Sequence, residues 1–155
     1  MRYFLHIITF LWLAILTIEM KSRDTPCEEI IIIPEQNDFL ITANAKNMLR
    51  ACEYYGVKNP SIVTAQAILE SGNFRSRVFK EYNNPFGLYN NKKQEYYRFN
   101  HWTESIYAYI RMVEYKYDSG DYYEFLKELP YATDKDYIDK VKRIENNLKD
   151  DKRRS

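Results

Sequence analysis

Residues 59–72 read NPSIVTAQAILESG, and the reading of this stretch decides the fold. Asn59 suits a helix N-cap, Pro60 the first helical position and Gly72 a left-handed terminator, so the spacing predicts a short helix with legible ends. Glu70 falls in its last turn, one turn after Gln66 and Ala67 and two turns after Val63, so its side chain emerges beside a small apolar patch. The last turn also brings Glu70 close to the negative end of the helix dipole and to carbonyls without intrahelical partners. Desolvation and that potential both disfavour a carboxylate, and a carboxyl with a raised pKa is what a proton donor to a glycosidic oxygen needs near neutral pH. The opposite reading of the same spacing is a solvated helix-end residue bonded to Arg75, with Arg77 also able to fold back.

Outward from this helix, the spacing stays helical on the N-terminal side. Phe39, Ile41, Ala45, Met48, Leu49 and Cys52 recur at threes and fours, predicting a helix from Asp38 until Gly56 stops it. Before it, EEIIIIPEQNDF is a short β-branched run ended by Pro34, read as an extended leader over 21–37. On the C-terminal side, NNPFGLYNNKKQEYYRF (83–99) changes period. Gly87 to Tyr89, a polar turn from Asn90 to Lys93 and alternation from Gln94 to Phe99 predict a small β-hairpin. Glu95, Tyr97 and Phe99 would share one face of its second strand, and Gln94, Tyr96 and Arg98 the other.

Thr103 starts a longer helix with the stripe Ile106, Ile110, Val113 and Tyr117, ending near Ser119-Gly120. Asp121 and Glu124 form a capping-box pattern for a short helix through Leu129, closed by Pro130. The last helix starts near Thr133 and buries Tyr137, Val141, Ile144 and Leu148. The reading is therefore mainly α, with five helices around one hairpin that stands as a wall beside a cleft, in a domain over 38–149. A charged, frayed tail follows over 150–155.

Composition supports one compact domain: 155 residues, 45% hydrophobic, with only 4 glycines. A formal net charge of +1 gives no basic excess for a phosphate-binding surface, so no nucleic-acid partner is expected. Fifteen tyrosines offer apolar faces with hydroxyls, which suit sugars as well as half-buried packing positions. MRYFLHIITFLWLAILTIEMKSRD has a basic start, an apolar centre and a polar flank, the pattern of an export segment over 1–20, either a cleaved signal or a retained anchor. His6 lies inside it and is a poor catalytic candidate. Cys27 lacks the small apolar residues that precede a lipidated cysteine. With only Cys27 and Cys52 present, a zinc site is not expected, and the two either form one disulfide or remain as buried thiols.

Four blocks in order, AQAILESG (65–72), NNPFGLY (83–89), RFNHWTESIYAYIRM (98–112) and YATDKDYIDKV (131–141), resemble the glucosaminidase family of peptidoglycan hydrolases. The resemblance spans Pro60 to about Ile144 and implies a lysozyme-like fold without metal or cofactor. It makes Glu70 the general acid. Asn84, Phe86 and Gly87 match the family's Asn-x-Phe-Gly segment lining the cleft, and Tyr131, at the head of a Tyr-Ala-Thr-Asp block, is placed like a cleft tyrosine near the reacting sugar. Trp102 and Tyr137 are read as packing residues.

Family members often carry a second acid on a longer β-lobe. Here the lobe is short and Glu95 is the only acid between Glu81 and Glu104, so Glu95 is the candidate. Its other reading is a solvated residue paired with Lys92 or Lys93. Glu81 can also approach the cleft, whereas Glu104 suits the first turn of a helix. The resemblance implies hydrolysis of β-1,4 bonds of N-acetylglucosamine in peptidoglycan glycan strands by an exported monomer in the periplasm or cell envelope. One alternative is a wall-binding module that grips glycan with Tyr89, Tyr97 and Tyr131 without cleaving it. The other is a lytic transglycosylase, which also needs one acid.

Overall fold

The computed structural model describes residues 42–129 and 134–154. The export segment, the leader, Cys27 and Tyr131 lie outside the described residues. What is described is mainly helical with one two-stranded antiparallel sheet.

Helix α1 spans Ala45–Tyr54 and buries Met48, Ala51 and Cys52. It begins at Ala45 rather than at Asp38, because Asn44 is extended and its side chain accepts the Asn47 N–H at 2.8 Å, which fixes the N-cap there. Gly56, at φ +73°, ends it, with Val57 N–H donating back to the Cys52 carbonyl at 3.0 Å. Helix α2, Pro60–Glu70, is buried on all sides over Ile62 to Ala67, the pattern of a central core helix. It packs most heavily on the last helix and on α1.

Asn59 holds the N-cap position of α2, yet its side chain makes no cap bond. The carboxylate of Glu114, 56 residues away, holds the chain just ahead of the helix instead, accepting the Lys58 N–H at 2.9 Å and also the Asn59 N–H. At the other end Gly72, Asn73 and Phe74 are all left-handed, at φ +56°, +59° and +60°. Such a run is costly for residues with a Cβ, and Ser71 pins it: its hydroxyl donates to the Ala67 carbonyl at 2.6 Å and accepts the Phe74 N–H at 2.8 Å.

A six-residue helix absent from the sequence reading follows, α3 over Arg77–Tyr82. Ser76 caps it by accepting the Phe79 N–H, and Asn83 closes it in the left-handed region. The hairpin pairs β1, Tyr89–Asn90, with β2, Glu95–Tyr96, in the register Tyr89 to Tyr96 and Asn90 to Glu95. Its turn lies one residue later than expected: Asn90 accepts the N–H groups of Lys92 and Lys93, and Gln94 takes φ +56°.

Helix α4, Glu104–Met112, is shorter than its apolar stripe suggests and gives way to a 3-10 turn over Glu114–Lys116. Its buried face is Ser105, Ile106 and Tyr109. Helix α5 spans Tyr122–Lys127, with Asp121 accepting the Tyr123 N–H at 2.8 Å. Glu124 does not close the expected capping box; it pairs with Lys127 instead. Helix α6 runs over Tyr137–Arg154, so residues 150–154 are charged and exposed but helical. Ser61 near the start of α2 meets Glu145, and Gln66 further along meets Tyr137, so α2 and α6 pack antiparallel.

Candidate active site

Glu70 closes the buried helix α2 and is itself half-buried. Burial pushes its carboxyl above the ordinary value, and the Tyr137 hydroxyl, donating to the carboxylate, pulls it part of the way back. Among the described residues no arginine acts on it. Arg77 is committed to Glu81 along α3 at 2.8 Å, and the pairing with Arg75 considered from the sequence is not among the interactions of Glu70.

Behind Tyr137 lies a chain of buried polar groups joining four helices. The Gln66 amide nitrogen donates to the Tyr137 hydroxyl oxygen at 3.0 Å, and the Tyr109 hydroxyl donates to the Gln66 carbonyl oxygen at 2.7 Å. The Tyr122 hydroxyl lies 3.1 Å from that of Tyr109. Gln66 and Tyr109 are almost fully buried, so these bonds replace ones that water would otherwise make. Helical spacing alone marks Tyr137 as a packing residue and the surroundings of Gln66 as apolar. The available signal was the spacing from Gln66 to Glu70, which puts an amide and an acid on one face of α2.

The hairpin reaches Glu70 through its entry segment. Gly87 sits at φ +61°, and a Cβ there would stand 3.9 Å from Oε2 of Glu70, so the backbone passes beside the carboxyl with no side chain between them. Asn84 and Phe86 are buried. Asn84 accepts the Leu88 N–H and donates to the carbonyls of Leu88 and Tyr97, closing the base of the hairpin. Phe86 packs on Tyr109 with ring centroids 4.7 Å apart, linking the hairpin to the polar chain. Tyr97 is half-buried against the core, while Tyr89 and its cross-strand neighbour Tyr96 are exposed and meet edge to face at 5.0 Å. Tyr96 was not singled out from the sequence, where alternation set it apart from Tyr97; the register pairs it with Tyr89.

Glu95 is exposed on β2 opposite Asn90. Glu81 is held by Arg77, and Glu104 accepts the Asn100 N–H at 3.0 Å at the start of α4. Trp102 is buried in the core. Among the described residues no three His, Cys, Asp or Glu side chains are grouped to hold a metal ion.

A family model for glucosaminidase, described as mannosyl-glycoprotein endo-beta-N-acetylglucosaminidase, matches residues 45–150. The chain belongs to the glucosaminidase family. No curated protein and no solved structure matches it. The mainly α fold with its small hairpin fits a lysozyme-like glucosaminidase domain, and membership supports, in general terms, glycoside hydrolase activity on peptidoglycan glycan. The matched region contains the Glu70 helix and most of the Tyr137 helix that meets it.

Proposed function

We propose that this glucosaminidase is an exported endo-β-N-acetylglucosaminidase that hydrolyses β-1,4 bonds of N-acetylglucosamine in peptidoglycan glycan strands, with Glu70 as general acid. The observation that carries the reading is the half-buried Glu70 carboxyl, raised by burial and met, among the described residues, by a neutral hydroxyl rather than a cation. Such a group keeps its proton closer to neutrality than an ordinary glutamate and then releases it to a bridging oxygen. As the C1–O bond breaks, Glu70 protonates the leaving oxygen, and Tyr137 donates to the carboxylate that remains. A water molecule completes the hydrolysis at C1, and its proton restores the acid.

In this reading Glu95 supplies the candidate second carboxyl and Tyr131 the tyrosine near the reacting sugar. A carboxyl about 5 Å from the acid would act as nucleophile, one at about 6.5–9.5 Å would leave room for a water, and the sugar's own N-acetyl group serves where neither is near. Asn84, Phe86 and Gly87 shape the sugar-facing side, and Tyr89 and Tyr97 contribute contacts to glycan. The segment 1–20 delivers the domain to the periplasm or cell envelope, as a cleaved signal or as a tether.

The test is mass spectrometry of the products from purified peptidoglycan digested by the native chain and by Glu70→Gln. Native digestion is expected to give new reducing ends at N-acetylglucosamine, and the variant none. Digestion by Glu70→Gln at the native rate overturns the reading. Anhydro ends would make the chain a transglycosylase, and wall retention without release a binding module.

A further inference from the structure

We propose that Gln66 is a positioning residue for Glu70, whose amide commits the Tyr137 hydroxyl hydrogen to the Glu70 carboxyl. The inference rests on Glu70 being the acid. Gln66 is 2% exposed and lies between two tyrosine hydroxyls, so each end of its amide must find its partner within the protein. Of the two ways to seat the amide, the one present gives the carbonyl oxygen the Tyr109 hydrogen and gives the Tyr137 oxygen an N–H. With that N–H received, the hydrogen of Tyr137 is left for Glu70, the acceptor it meets. The reverse seating would draw the Tyr137 hydrogen onto the amide oxygen and away from the acid.

Tyr122 extends the same order by one more hydroxyl. The Tyr109 hydrogen is spent on Gln66, so in the 3.1 Å contact between the two hydroxyls Tyr122 is the donor. Donation thus runs in one direction from Tyr122 through Tyr109, Gln66 and Tyr137 to Glu70, and each bond polarises the next. The groups facing Glu70 are Tyr137 from α6 and the uncharged backbone at Gly87 from the hairpin entry, so among the described residues no charged side chain competes with the chain. Tyr122, Tyr109, Gln66 and Tyr137 stand on α5, α4, α2 and α6, so the packing of four helices fixes the direction of one hydroxyl.

The experiment titrates the Glu70 side-chain carboxyl by carbon-detected NMR in the native chain, Gln66→Met, Tyr137→Phe and the double variant, with kcat/KM followed against pH in parallel. Gln66→Met keeps the length and removes both bonds. It is expected to move the Glu70 titration and the alkaline limb of kcat/KM to higher pH, and to lower the plateau about threefold to tenfold, the worth of one ordinary hydrogen bond. Tyr137→Phe moves the titration the same way, and adding Gln66→Met to it moves it no further. An unmoved titration in Gln66→Met, or an equal further shift in the Tyr137→Phe background, overturns the inference. If Gln66→Met does not fold, Tyr109→Phe serves in its place. It frees the amide to turn, and an unmoved titration there is equally fatal. The titration reads the positioning without any turnover, so wall digestion by Glu70→Gln would sink the assignment of the acid separately.

Discussion

Two carboxyls face each other's helices across the antiparallel pair α2 and α6, and their acidities are shifted in opposite directions. Glu145 on α6 is buried and receives three donors: Ser61 from α2 at 2.7 Å, Tyr123 from α5 at 2.7 Å and the Lys149 ammonium at 2.7 Å. Burial pushes it up, but Lys149, Tyr123 and Ser61 together outweigh burial and hold its carboxyl below the ordinary range. Among the described residues Glu70 on α2 receives one hydroxyl from α6 and no cation, and burial wins. The same residue type on the same helix pair is thus kept ionised or kept ready to hold a proton by the number and charge of its donors. The ionised one clasps the helices, and the other is suited to hand a proton on.

The comparison breaks most sharply on activity. Glu70→Gln is expected to lower kcat on peptidoglycan by about 10²–10⁴-fold, the range of a lost general acid, while far-UV circular dichroism stays native. Glu145→Gln should leave kcat within a few fold. Comparable losses in both variants would mean that Glu145 carries chemistry, or that Glu70 carries none.

Stability should reverse the order. Glu145→Leu leaves the Ser61 and Tyr123 hydroxyls without their shared acceptor in a part-buried setting, at a cost of about 1 kcal/mol by urea unfolding. Against pH the two acids should give curves of opposite slope. The folded value of Glu145 lies below the ordinary 4.5, so its contribution is whole above that value and is lost as pH falls through the folded one. Glu145→Gln is therefore less stable than the native chain at neutral pH, and the gap closes in acid. The folded value of Glu70 lies above 4.5, so folding favours the protonated form, and that contribution fades as pH rises through the folded value. Glu70→Gln should be the more stable chain at neutral pH, with the difference vanishing in acid. Thermal unfolding at several pH values checks both signs, and parallel curves would remove the contrast.

The two acids also differ in how far the sequence reveals them. Glu70 stands out because Pro60 and Gly72 bracket its helix and the residues before it are apolar, which are local signals. Glu145 does not, since its partners Ser61 and Tyr123 lie 84 and 22 residues away and only the packing of α2 and α5 on α6 brings them together. Asn59 marks the limit of local reading: it occupies the cap position without making a cap bond, and the segment is held by Glu114 from across the fold. The hairpin and the stop at Gly56 follow from turn chemistry, whereas α3 is too short for its period to emerge, although Ser76 and Asn83 bracket it. Tyr137 illustrates the same limit within the site. Helical spacing marks it as buried, and its hydroxyl contact with Glu70 follows from the register of α6 on α2, which no periodicity contains.

The smallest effect tests which donor keeps Glu145 charged. Lys149 is half-exposed and one turn from Glu145 on α6, so water and salt screen its attraction, and an ion pair of this kind is worth about 0–1 kcal/mol. Lys149→Met keeps most of the stem, so the packing of the methylenes survives and the charge alone is removed. Ser61 and Tyr123 still donate, and the variant should lose less than about 1 kcal/mol at neutral pH and low salt, with the loss fading at about 1 M salt where the Debye length is only about 3 Å. With the cation gone, burial meets weaker opposition at Glu145, so the acid limb of the stability curve should move to higher pH, toward the behaviour of Glu70. A loss of stability indifferent to salt, with the acid limb unmoved, would mean that the two hydroxyls alone hold the charge, and that donor number rather than donor charge separates the clasp from the acid.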